Sequence, residues 1–151
     1  MLIADLHNHL GGIMETGCLL DASTSRRNAN IWLPADPAVV GHARTLTATI
    51  LGNWGLSQFV ATTQLIVSEL ATNAIVHAPC SGYRFRLAAG KSTLRCVVSD
   101  NDRNLPQVGD AAADDTTGRG LLLVSQLAYR WGVRVTDTGK SVWAVQRILS
   151  Q

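Results

Sequence analysis

The chain has 151 residues, of which 46% are apolar, 16% charged and 5% aromatic, the balance of one domain with a substantial core rather than a disordered or two-domain chain. Thirteen Lys and Arg against eleven Asp and Glu leave a formal charge of +2, too small to name a nucleic-acid or membrane partner. No Gly-X-Y period, heptad series or solenoid repeat is present.

In chain order, residues 1–29 carry Gly11, Gly12, Gly17 and the polar run from Asp21 to Asn30 without a sustained period, and read as a poorly ordered extension. They lack the cationic start and continuous apolar stretch of a secretory signal. The domain is expected over residues 30–149. Ile31, Trp32 and Leu33 predict a short strand, and Asp36 with Pro37 predicts the start of a helix. Val39, Val40, Ala43, Leu46, Ile50 and Leu51 form the apolar stripe of that helix, and Gly52 is its expected stop. Ser57 is a candidate cap for a second helix over Gln58 to His77, which Pro79 ends by pushing Ala78 out of the helical region.

Tyr83, Phe85 and Leu87 alternate with Arg84 and Arg86, and Thr93 to Ser99 follows as the return strand of a hairpin. Asp100 to Pro106 is polar punctuation, and Gln107 to Thr117, small, polar and acidic, predicts a mobile loop. Gly118, Arg119 and Gly120 open a helix over Leu121 to Leu127. Val133 to Thr136 and Ser141 to Ile148 predict two closing strands joined through Asp137 to Lys140. The order β, α, α, β, β, loop, α, β, β defines an α+β class, a two-layer sandwich with helices on one face of a mostly antiparallel mixed sheet.

Three cysteines, Cys18, Cys80 and Cys96, lack CxxC spacing. Neither a disulfide framework nor a zinc ribbon is written there, and a reducing, cytoplasmic setting is expected. The tryptophans Trp32, Trp54, Trp131 and Trp143 are read as packing residues.

Three polar features carry possible chemistry. Glu69, Asn73 and His77 fall at successive i, i+4 positions on one face of the second helix. They are either a solvated helix edge or the wall of a pocket, where an amide oxygen suits one position of an octahedral Mg2+ and a carboxylate suits proton acceptance from a hydroxyl. Asp100 ends an apolar strand, and is either a turn-forming residue or an acceptor for an exocyclic amine. Gly118, Arg119 and Gly120 before a helix form either a tight turn or a phosphate-approaching loop. His77, at the helix end, is given no catalytic role. Arg119 is either a guanidinium fork for phosphate or a solvated first-turn residue.

Together, Ser68-Glu69-Leu70-Ala71-Thr72-Asn73, Val98-Ser99-Asp100 with Leu105-Pro106, Gly118-Arg119-Gly120-Leu121 and Gly139-Lys140-Ser141-Val142-Trp143 resemble the GHKL superfamily of ATP-binding proteins, nearest the anti-sigma factor serine kinases of actinobacterial type. The resemblance runs from about Ile31 to Leu149. It implies a Bergerat fold holding Mg2+ and ATP under a lid at residues 107–117. It further implies Glu69 as general base, Asn73 as Mg2+ ligand, Asp100 at the adenine amino group and Ser141 near it. Gly118, Arg119, Gly120 and Leu121 would then lie at the phosphates. Asp102 stands where the superfamily often has Gly, and Ser141 where it has Thr.

The implied activity is phosphorylation of a Ser or Thr on an anti-anti-sigma (STAS-domain) partner, with or without sequestration of a sigma factor; a homodimer is possible, and neither direct nucleic-acid nor membrane contact is expected. The alternative is a non-catalytic nucleotide- or protein-binding module acting by sequestration. His7-Asn8-His9 also resembles the HxH of metal-dependent amidohydrolases. Those are barrels of about 250 residues with further metal ligands, and only His42 and His77 remain here, so the match is read as chance.

Overall fold

The computed structural model of the chain describes residues 27–79, 81–105 and 119–149. The elements are strand β1 (Arg27–Leu33), helix α1 (Val39–Asn53), a 3-10 turn (Ser57–Phe59) and helix α2 (Val60–His77). Strands β2 (Tyr83–Ala89) and β3 (Thr93–Asp100), helix α3 (Arg119–Leu127) and strands β4 (Arg130–Thr136) and β5 (Gly139–Arg147) follow.

The strands form one sheet in the order β1-β2-β3-β5-β4. Every neighbouring pair is antiparallel, so the sheet lacks the parallel pair that "mixed" anticipates. Side chains alternate with the two-residue period of a sheet covered on one side. In β2, Tyr83, Phe85, Leu87 and Ala89 are buried while Arg84 and Arg86 are exposed.

The inward residues Ile31, Phe85, Leu87, Leu94, Cys96, Val98, Val142 and Ala144 form the floor of the core. Its roof is Ala43, Leu46 and Leu51 of α1 with Ile66, Val67, Leu70 and Ala74 of α2. By length and composition α2 could cross a membrane, yet its apolar stripe is the centre of this core. One buried hydrogen bond joins the layers, from Gln146 Nε2 to Thr63 Oγ1 at 2.8 Å. Burial pushes the Cys96 thiol up to about 12, which leaves it an inert packing group.

Several boundaries differ from those read in the sequence. β1 begins at Arg27, inside the expected extension, because Asn28 and Asn30 are strand residues despite their low propensity; Asn28 Oδ1 accepts a 2.9 Å hydrogen bond from Arg86 Nε across the β1–β2 pair. Asp36 does shape the entry to α1, accepting from the Ala38 N–H at 2.9 Å. The helix runs past Gly52, and the left-handed residue is Gly55 at φ 70°. No side chain caps the Ser57 turn. Ala78 leaves the helical region at φ −131°, ψ 60°, as the following proline predicts. α3, β4 and β5 begin two to three residues before their sequence-based starts.

Candidate functional site

The polar end of the sandwich follows from chain connectivity. α2 delivers its last turns beside the short passage through Gly82 into β2, and Arg84 of β2 pairs with Ser99, one residue before the end of β3. Asp100 in turn pairs with Lys140 at the start of β5. The C-terminal half of α2, the end of β3 and the beginning of β5 therefore share one end of the fold.

Glu69, Thr72, Asn73, Val76 and His77 of α2 line a cavity of about 180 Å3 together with Gly120 and Leu121 of α3. The helix-edge reading of Glu69 and Asn73 thus gives way to the pocket reading. Asn73 Nδ2 is buried without a hydrogen-bond partner among the described residues, an arrangement that leaves the amide dependent on whatever fills the cavity. Gly120 lies inside the first turn of α3 instead of before it. A Cβ built on Gly120 would collide with the Glu69 carboxylate, so only glycine lets this helix start approach that side chain so closely. Arg119, also in the first turn of α3, is exposed. Gly118 and the expected lid, residues 107–117, lie outside the described residues, as do His7 and His9.

Asp100 is buried on the helix-covered face. Its Oδ1 accepts from the Asp102 N–H at 2.8 Å, so the turn-forming role is real. The same oxygen receives Lys140 Nζ at 3.1 Å. Lys140, whose side chain is 0% exposed, also reaches Asp102 Oδ2 at 2.9 Å and the Asp102 carbonyl at 3.3 Å. The hydrogen bond from Lys140 Nζ to Asp102 Oδ2, followed by the one from the Asn104 N–H, holds the Asp102 carboxyl below the usual carboxylate range. Gly139 makes this approach possible, because a Cβ there would strike the Asp100 carbonyl and the Asn101 Cα.

Lys140 was absent from the expected site residues. The signal was in the sequence: β5 alternates, and with Val142 and Ala144 facing the core, residue 140 must face inward beside Asp100. By the same rule Ser141 does not. Its hydroxyl lies 2.7 Å from Ser99 Oγ on the uncovered face, so Ser141 and Asp100 leave opposite faces of the sheet at the same end of the fold. Both residues border a second cavity of about 260 Å3, which wraps the sheet end between Trp32, Tyr83, Arg84 and Thr138. Tyr83 Oη is buried without a described partner, and burial pushes its pKa up to about 12. Of the expected residues, Glu69, Asn73, Gly120 and Leu121 line one cavity, Asp100 and Ser141 line another, and Arg119 lines neither.

This architecture and helix-lined cavity are those of an ATP-binding domain of the GHKL type. The chain belongs to the histidine kinase-like ATPase domain family, whose model matches residues 33–146. No functionally curated protein matches it in sequence. Among solved structures, it is similar to the histidine kinase domain from the Erythrobacter litoralis EL346 blue-light activated histidine kinase, with 22% identity and a TM-score of 0.48. That match covers 76% of this chain, and this chain spans 61% of that one.

Proposed function

We propose that the protein uses Mg2+ and ATP to phosphorylate a serine or threonine of a partner protein, in the cytosol, as an anti-sigma factor-type kinase acting on an anti-anti-sigma (STAS-domain) protein and able to sequester a sigma factor. The observation that supports this reading is the meeting of Glu69, Asn73 and Gly120 in one cavity, where the Asn73 Nδ2 donor has no partner among the described residues. These residues fit the groups the family implies. Asn73 offers a neutral hard oxygen for Mg2+, while the start of α3, admitted by Gly120, brings the favourable end of a helix dipole to phosphate oxygens.

Bound Mg2+ would supply charge neutralisation on the triphosphate. Glu69 accepts the proton of the incoming hydroxyl as its oxygen bonds to the γ-phosphorus and the bond to ADP breaks. Asp100 receives the adenine amino group on whichever carboxylate valence Lys140 and the Asp102 amide leave open, and Lys140 keeps the carboxylate turned toward it.

Calorimetric titration with ATP and Mg2+ tests binding, and labelled ATP with a cognate STAS-domain partner tests transfer. Asn73→Ala and Asp100→Ala are expected to weaken nucleotide binding at least about tenfold, a loss of about 1.4 kcal/mol. Glu69→Ala is expected to abolish transfer while keeping most of the binding. Unchanged affinity in both binding variants would refute the pocket assignment, and binding without any transfer by the unaltered protein would refute the kinase.

A further inference from the structure

Helices cover one face of the sheet, and the register defines what the other carries. One cross-strand row reads Trp32, Arg84, Ser99, Ser141, Arg134; the next reads Asn30, Arg86, Val97, Trp143, Gly132; a third reads Asn28, Ala88, Arg95, Val145, Arg130. Arg147, opposite Thr93, extends the same face. Six arginines (84, 86, 95, 130, 134 and 147) thus share this surface, all exposed, and none of the strand residues on it is acidic. With strands about 4.8 Å apart, the surface is roughly 20 Å wide.

We propose that this arginine face is a docking surface for an acidic surface of a partner protein. The occupant follows from charge and from how the aromatic rings are already used. Trp143 lies under the Arg95 guanidinium at 5.2 Å, and the Tyr129 ring is stacked by Arg147 at 3.6 Å with Arg130 at 5.3 Å. These contacts hold guanidinium groups in place before any partner arrives, which lowers the ordering cost of binding carboxylates. They also cover faces of the Trp143 and Tyr129 rings on which nucleic-acid bases would stack, leaving Trp32 as the exposed ring of the surface without an arginine over it. A second copy of the chain is a poor occupant, since joining two such faces would set arginines against arginines with no carboxylate between them. Carboxylates on a partner meet both requirements, and guanidinium forks bind them in bidentate pairs. This inference does not rest on the kinase reading.

The test is titration of the full chain into fluorescently labelled poly-glutamate, with poly-lysine and an oligothymidylate of matched charge in parallel. Saturable binding to poly-glutamate that weakens with added salt is expected, with no binding to poly-lysine. The triple variant Arg86→Gln, Arg95→Gln, Arg134→Gln should weaken it at least about tenfold while leaving the affinity for ATP unchanged. Single variants at the same positions, each weakening binding in part, carry the test if the triple variant fails to fold. The proposal is overturned by absence of poly-glutamate binding or by binding that survives these substitutions. It is equally overturned by tighter capture of oligothymidylate, or by sedimentation showing a dimer that the same substitutions dissociate.

Discussion

Replacing Lys140 with Met is the sharpest probe of the sheet end, because it removes one charge and leaves the volume of the stem. The Lys140 and Asp100 side chains are 0% and 1% exposed and meet at 3.1 Å. Removing one member of a buried pair strands the other without compensation and costs about 3–5 kcal/mol. Taking the lower end, since Asp100 keeps its hydrogen bond from the Asp102 amide, the expected loss is about 3 kcal/mol. For a chain of this size that corresponds to a fall in Tm of roughly 6–12 °C. Denaturant unfolding at neutral pH should show the loss as a lower midpoint at an unchanged slope.

The pH dependence supplies the control. Asp102 titrates below its ordinary range in the folded protein, so the part of the Lys140 stabilisation that runs through Asp102 is complete above the unfolded carboxylate value and disappears as pH falls through the lowered folded one. The gap between the two proteins should therefore be full at neutral pH and narrow below about pH 4. Adding Asp100→Asn to Lys140→Met should recover part of the loss. A loss under about 1 kcal/mol at neutral pH, or the same gap in acid, would refute the buried-pair reasoning.

Gly120→Ala should leave stability within about 1 kcal/mol, because the gain in helix propensity offsets the displaced Glu69 side chain, yet it should weaken Mg2+-ATP binding; calorimetry beside a melting curve checks both, and unchanged affinity would dismiss the close approach as functionally irrelevant. Tyr83→Phe should hold stability constant or raise it by about 1 kcal/mol, since it deletes a buried hydroxyl with no described partner. A loss larger than that in denaturant unfolding would show that the hydroxyl is satisfied through the second cavity.

The hydrophobic periodicity made the layers legible before any coordinates: the α2 stripe, the β2 alternation and the break at Ala78 all follow from residue spacing. Glu69 and Asn73 were legible as a shared face, but whether that face met solvent or a cavity depended on where α3 begins. No local signal fixes that. Arg119 and Gly120 read as loop because glycine is a poor helix former, and the close approach to the Glu69 carboxylate that favours glycine is a tertiary contact. The strand parity of β5 is legible in its alternation and puts Lys140 on the covered face beside Asp100, whereas the family resemblance draws attention only to Ser141. β1 was shortened because Asn28 and Asn30 gain their strand character from pairing with β2.

The net charge of +2 illustrates why composition alone was silent about partners. Of the described acidic residues, Glu69, Asp100 and Asp102 gather at the polar end of the sandwich. The six arginines of the uncovered sheet face have no acidic strand neighbour on that face. Among the described residues these two populations are separated, and separation has consequences that a sum does not. The field near the sheet face is positive over a width larger than the Debye length of about 8 Å at physiological salt, so it acts on an approaching surface as a unit and not as isolated charges. Recognition of a macromolecular partner and binding at the Glu69–Asn73 cavity can then use opposite faces of one small domain, while Arg84 and Ser141 border both the arginine face and the second cavity.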